Sequence, residues 1–250
     1  IVLLKNDNAL PIKSKKIALY GVGARLTCNC GLGSGSLESR HDIKIEEGFR
    51  NLGFEISTQK WLDDYDNEHK NSYNQFREIV ESKIVGMTNP MQVIPTVRSY
   101  VYTYPSGRAI TNEDIQESNT DTAIYVLTRQ AGEGNDRKLK KGDYYITDIE
   151  KENLEILTKS YTNTILVINS GGLIDMSFLD NITNIKAIVH YVQAGEEGGN
   201  ALANLLSGKV NFSGKLVDTI PLHYEDIPFG NEYSHLNGQL ENEYYKEGIY

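Results

Sequence analysis

Thr164-Ile165-Leu166-Val167-Ile168 is a run of β-branched and apolar residues, and it narrows the fold more than any other stretch of the chain. A strand with one wet face alternates polar and apolar side chains. A run that is apolar at every step needs cover on both faces, which a parallel strand inside a two-sided sheet provides. Similar runs recur at Ala123-Ile124-Tyr125-Val126-Leu127 and at Ile185-Lys186-Ala187-Ile188-Val189-His190-Tyr191. A shorter one, Lys16-Ile17-Ala18-Leu19-Tyr20, ends at Gly21.

Between these runs the apolar spacing changes to three and four. Ile43, Ile45, Phe49 and Leu52 predict a short helix ending at Gly53, followed by a strand at Phe54-Glu55-Ile56. Tyr73, Phe76, Ile79, Val80 and Ile84 predict an amphipathic helix within 66–85. Thr147-Asp148-Ile149-Glu150 reads as a helix start whose apolar positions continue to Lys159, and Gly199 to Leu206 as a further helix. Strands repeatedly followed by helices predict an α/β fold with a mostly parallel, doubly wound sheet flanked by helices.

The stretch from Gly86 to Ser118 breaks this rhythm with Pro90, Pro95, Pro105 and the strand-like Val101-Tyr102-Thr103-Tyr104. It is expected to be an insertion, a hairpin and loop around 87–118, within an α/β domain spanning 1–218. Thr111-Asn112-Glu113-Asp114 then caps a short helix. Residues 219–250 have little periodicity and many aromatics, and read as an irregular tail leading toward a missing segment.

The chain carries 25 Lys and Arg against 34 Asp and Glu, a formal charge of −9. That balance argues against nucleic-acid and anionic-membrane partners. The cluster of Lys138, Lys140 and Lys141 reads as a solvated loop. No apolar run approaches the roughly 20 residues needed to cross a bilayer. The opening Ile1-Val2-Leu3-Leu4 lacks the basic start and the length of a signal peptide. Cys28 and Cys30 are the only cysteines, too close for an ordinary disulfide and too few for a four-thiolate zinc site, so both are read as free thiols. Free thiols without a visible leader predict a bacterial cytoplasmic protein.

In such sheets ligands meet loops at the carboxyl ends of the strands, which directs attention to residues 21–40, 128–143 and 169–175. Gly31-Leu32-Gly33-Ser34-Gly35-Ser36 lacks the Gly-Lys-Ser or Gly-Lys-Thr of a phosphate loop and starts too far from its strand, so a structural or substrate-lining loop is preferred to a nucleotide site. Gly132-Glu133-Gly134-Asn135-Asp136-Arg137 sets a carboxylate between glycines, where it can project from a sharp turn. Asp136 and Arg137 can pair nearby, and the arginine fork can orient a carboxylate or a sugar hydroxyl. The residues alone leave both a proton donor and a plain polar turn open. Five histidines without a close pair disfavour a zinc site, and His190 reads as a hydrogen-bonded core residue. Neither Ser170 nor Ser177 sits in a nucleophile elbow. Sixteen tyrosines are consistent with stacking on sugar rings and equally with ordinary packing.

Several segments taken in order resemble glycoside hydrolase family 3, the β-glucosidase-like enzymes. Lys5-Asn6-Asp7-Asn8-Ala9-Leu10-Pro11 resembles the lead-in to that family's second domain, and Gly33-Ser34-Gly35-Ser36 with Ser39-Arg40 resembles its first loop. Gly132 to Arg137 resembles the Glu-Gly-aromatic-Asp-Arg segment, with Asn135 in place of the aromatic residue. Asn169 to Asp175, Gln193 to Asn200 and Leu206 to Leu216 resemble three further segments, the last with Phe212 where proline is usual. Tyr245 to Tyr250 resembles a segment that normally continues, so a truncated domain is expected.

The resemblance implies an (α/β)6-sandwich domain that closes over a barrel domain and supplies the acid/base glutamate of a retaining β-glucosidase. Carried over residue by residue, Glu133 becomes the acid/base, Asp136 and Arg137 support it, and Ser34, Gly35 and Arg40 line or brace the substrate entrance. The nucleophile and the barrel are absent from this chain, so the piece alone is expected to be inactive. Its implied partners are a β-linked oligosaccharide or glycoside and the barrel of the same enzyme, with homo-oligomerisation left open. The chemistry needs no metal or organic cofactor. The alternatives are a β-xylosidase or exo-glucanase domain, a non-catalytic carbohydrate- or protein-binding scaffold module, and, more weakly, a flavodoxin-like nucleotide binder.

Overall fold

The computed structural model describes residues 1–100, 102–132, 137–228, 230 and 242. Six strands form one sheet: β1 (Val2–Asn6), β2 (Lys16–Tyr20), β3 (Glu55–Ile56), β4 (Thr122–Arg129), β5 (Asn163–Ser170) and β6 (Ile185–His190). Their spatial order is β1-β6-β5-β4-β2-β3. β2 to β6 are parallel, and β1 closes the far edge antiparallel to β6. Flanking the sheet are α1 (Ile45–Asn51), α2 (Gln59–Ile84), α3 (Pro90–Arg98), α4 (Asn112–Ser118), α5 (Asp148–Ser160) and α6 (Gly198–Leu206). The mostly parallel α/β sheet expected from the apolar runs is what the chain forms.

The core is centred on β4 and β5, which pair in register with Ile124 opposite Ile165 and Val126 opposite Val167. All four side chains are excluded from solvent, as a doubly covered sheet requires. From β2 the chain first moves outward to β3 and then crosses back to β4, so the direction of winding reverses between β2 and β4. At that point Gly21, with φ +87°, brings the backbone leaving β2 against Val126 so closely that a Cβ would overlap the Val126 carbonyl.

Two capping boxes start helices as their sequences predict. Thr111 accepts from the Asp114 amide and Thr147 from the Glu150 amide, each at 3.2 Å, and each acidic partner returns a bond to the capping residue. α1 and α6 approach backbone to backbone, since a Cβ on Gly48 would overlap the Gly199 carbonyl.

Three features differ from the sequence-based expectation. β1 is a half-buried edge strand without clean alternation, so its opening apolar residues carry no strand period. α2 begins seven residues before the predicted 66, because Trp61, Leu62 and Tyr65 bury against the core ahead of the amphipathic stretch. Thr58, which precedes α2, donates its hydroxyl to the Leu19 carbonyl (2.6 Å) and accepts from the Leu19 amide (2.9 Å), covering β2 beyond the short β3.

Within the excursion at 87–118, α3 stands where a hairpin was expected, ahead of the short helix α4 that Thr111 caps as its sequence predicts. Asn89 caps α3 by accepting from the Met91 amide (3.0 Å), with Pro90 in the first turn, where its missing N–H costs nothing. Val101 lies outside the described residues, and Tyr102 to Tyr104 are not in a strand. Tyr102 instead packs against His69, Tyr73 and Phe76 of α2, and Tyr104 stacks on His69. A β-branched and aromatic run signals a half-buried surface, and here the surface is a helix flank. Of the tail, Tyr224 meets Tyr144 edge to face at 5.5 Å.

Candidate active site

The carboxyl ends of β2, β4, β5 and β6 bring four loops together around the switch point. The loop after β2 crosses the ends of its neighbours as a narrow ribbon. Asn169, near the end of β5, accepts from the Cys28 amide (2.7 Å) and donates to the Cys28 carbonyl (2.9 Å). The Cys30 carbonyl accepts from the side-chain amides of Gln130 and Gln193, each at 3.0 Å. The Leu32 amide donates to the Ala131 carbonyl (2.9 Å), and Leu32 pairs with Gly132 as an isolated parallel bridge. Between the two cysteines, the side-chain nitrogen of Asn29 donates to Asp42, and Tyr191 donates to the Asn29 side-chain oxygen.

The loop after β4 is held from its other end by two arginines. Arg129 closes β4 with a bidentate pair to Glu150, and its Nε donates to the Asp143 carbonyl (2.9 Å). Arg137 donates to the Asp143 carboxylate (2.9 Å) and to the Ser170 hydroxyl (3.3 Å), while the Lys138 amide donates to the other Asp143 oxygen (3.0 Å). Both Arg137 and Asp143 are about four-fifths buried, so this is a well-shielded pair. Ser170 donates to the Gly172 carbonyl (2.6 Å) and is spent on structure, in keeping with its lack of an elbow.

Glu133 and Asp136 lie outside the described residues, whereas Gly132 and Arg137 on either side of them belong to the anchors just described. The arginine fork that the sequence offers to a carboxylate or a sugar holds Asp143 and Ser170. Ser34 and Gly35 form an exposed single 3-10 turn, and Arg40 is exposed further along the same loop. Sequence reasoning missed Asp143, Gln130 and Gln193 as anchors: the two glutamines bond the Cys30 carbonyl 100 and 163 residues away, and Asp143 meets Arg137 inside an irregular loop. Neither arrangement leaves a local period.

Both cysteines are free, and burial pushes the Cys28 thiol up to about 11, with nearby Lys44 pulling the other way, so Cys28 stays protonated at neutral pH. His190 ends β6, half-buried, and desolvation lowers its affinity for a second proton. Among the described residues no group of three or more His, Cys, Asp or Glu side chains is placed to hold a metal ion. Among them, too, no helix is long and apolar enough to cross a membrane.

The chain is similar to several known enzymes. It is 30% identical over 253 residues to β-glucosidase A of Butyrivibrio fibrisolvens, covering 91% of this chain and 28% of that protein. It is 37% identical over 110 residues to a β-glucosidase of Ruminococcus albus, covering 44% of this chain and 12% of that one. The structure of β-glucosidase 3B from Thermotoga neapolitana in complex with glucose superposes with a TM-score of 0.74 at 28% identity, over 92% of this chain and 30% of that one. The chain thus spans less than a third of the relatives it matches. The sequence model of the glycosyl hydrolase family 3 C-terminal domain matches residues 1–250, and the chain belongs to that family.

Proposed function

We propose that this chain is the acid/base domain of a retaining β-glucosidase acting on terminal β-linked glucosides. The observation that carries the reading is the double anchoring around Glu133. Gly132 is bridged to Leu32 at the switch point, and Arg137 is tied to Asp143 and Ser170 at the carboxyl end of β5. Proton transfer needs its donor delivered from a fixed frame, and the residues on either side of the segment, Gly132 and Arg137, are both held.

In the proposed reaction an aspartate of a barrel domain outside this chain attacks the anomeric carbon. The bond from that carbon to the leaving oxygen breaks as the protonated Glu133 carboxyl gives its proton to the oxygen. Water then attacks the glycosyl-enzyme, its proton passes to the Glu133 carboxylate, and the ester to aspartate breaks. Two carboxyl groups roughly 5–5.5 Å apart suit this double displacement. Ser34, Gly35 and Arg40, exposed on the loop after β2, are assigned to the substrate entrance, with Asp136 supporting Glu133. The sandwich domain is taken as 1–218, and the two free thiols fit a reducing, cytoplasmic setting.

The test uses the protein that unites this domain with its barrel. Glu133→Ala should lower turnover of an aryl β-glucoside by about 10²–10⁴-fold, the usual worth of a general acid/base. Azide should restore part of it by attacking the intermediate without needing a base. Unimpaired turnover without azide removes Glu133 from the role.

A further inference from the structure

Asn169 has no solvent exposure, and all four hydrogen-bonding positions of its side chain are used. Its oxygen accepts from the Cys28 amide (2.7 Å) and from the Thr128 hydroxyl (2.6 Å). Its nitrogen donates to the carbonyls of Cys28 (2.9 Å) and Val192 (2.7 Å). One carboxamide on β5 therefore holds the loop after β2, the end of β4 and the turn after β6. Val192 is a β-branched residue with φ +58°, a conformation that such side chains avoid unless their surroundings impose it.

Along the edge of this ribbon that faces Asn169 and the loop after β4, the bonds fall on alternate residues, while Asn29 between them bonds to the other side. Cys28 is held by Asn169, Cys30 by Gln130 and Gln193, and Leu32 by the Ala131 backbone. Alternation with period two is strand-like, yet side-chain amides supply the first two rungs in place of a neighbouring backbone. The last rung fixes Gly132, where a Cβ would stand 2.5 Å from that of Leu32, and Glu133 is the next residue.

We propose that Asn169, with Gln130 and Gln193 continuing its ladder, is the positioning residue for the acid/base glutamate. This rests on the assignment of Glu133 made above. Loss of the carboxamide leaves the Cys28 amide and carbonyl unpaired in a buried place and frees the part-buried Val192 carbonyl. The ribbon can then recover partners only by shifting, and the shift passes through Leu32 to Gly132.

The test is a comparison of leaving groups in the protein that unites this domain with its barrel. From a 2,4-dinitrophenyl β-glucoside the phenolate leaves without a proton, whereas from methyl β-glucoside the leaving oxygen must be protonated to depart as methanol. A misplaced acid therefore lowers kcat/KM for the methyl glycoside selectively. For Asn169→Ala the expected loss is about 10²-fold on the methyl glycoside, the scale of a 1 Å misplacement. The loss on the dinitrophenyl glycoside should stay within about threefold. Equal losses on both mean that Asn169 serves folding alone and overturn the proposal.

Should Asn169→Ala fail to fold, Gln193→Met decides, because Gln193 is only half-buried and supplies a single rung. A smaller split in the same direction supports the ladder, and none overturns it. Glu133→Gln runs alongside as a control. If it shows no split, the acid/base assignment falls; if it shows one and the ladder variants do not, only the positioning role falls.

Discussion

Arg129 and Glu150 face each other fork to fork, Nη1 to Oε1 at 2.8 Å and Nη2 to Oε2 at 2.7 Å, with side chains 7% and 2% exposed. The pair links the last residue of β4 to the first turn of α5, and the same glutamate accepts from the Thr147 amide (2.7 Å). Cap, strand end and the start of the loop after β4 thus share one ion pair.

A double-mutant cycle on this pair should reveal strong coupling. Arg129→Met or Glu150→Leu alone should destabilise by about 3–5 kcal/mol, because each strands the partner's charge in a buried place. The double variant Arg129→Met/Glu150→Leu should cost less than the sum, with a coupling of about 2 kcal/mol or more. Urea midpoints at pH 7 give all the quantities needed. A coupling near zero would mean that water reaches the pair in solution.

Acid should weaken the link between α2 and α4. Burial works against ionisation of Asp114, but Arg108 on its two oxygens (2.7 and 2.8 Å) and the Thr111 amide and hydroxyl outweigh it and hold the carboxyl down at about 2. In the unfolded chain it titrates at about 3.9. Its folded value is depressed, so its contribution is fully present above pH 4 and is lost as pH falls toward 2. Urea midpoints measured from pH 5 to pH 2 should therefore fall less steeply for Arg108→Met, whose stability at pH 5 is already lower. Parallel curves for the two proteins would rule this out.

Gly48→Ala should be among the most damaging single methyl additions. The new Cβ meets the Gly199 carbonyl carbon and oxygen, which are backbone atoms of α6 and cannot rotate away. α1 and α6 must separate, at a cost of about 1–3 kcal/mol or more. Thermal unfolding should show it, while Gly53→Ala, which meets nothing within 4 Å but sits at φ +73°, reports backbone strain without the clash. A Gly48→Ala protein as stable as the parent would show that the helices slide apart freely.

The legible parts of the fold were those with a local cause. Residues 164–168 announced β5 because burial on both faces leaves no polar position, and Thr147 with Glu150 announced α5 because a capping box lies within one turn. Tyr102 to Tyr104 misled for an equally physical reason: aromatic and β-branched residues suit any half-covered surface, and α2 offered one. At the candidate site, Glu133, Asp136 and Arg137 could be singled out by resemblance and by their glycine neighbours. Gln130 and Gln193 could not, since the Cys30 carbonyl they bond is distant in the chain, and Asp143, though only six residues from Arg137, lies in an irregular loop with no period to mark it.

By itself the sequence determined the central strands β2, β4, β5 and β6 and the capped helices α4 and α5, and that the strands lie mostly parallel, because period, caps and glycines act over a few residues. Tertiary structure alone decided that Asn169 meets Cys28 and Val192, that Arg137 meets Ser170, and that α1 touches α6. Those contacts exist only once the sheet's order has carried remote loops to the same edge, where a buried amide or guanidinium must find a partner from whatever has been brought within reach.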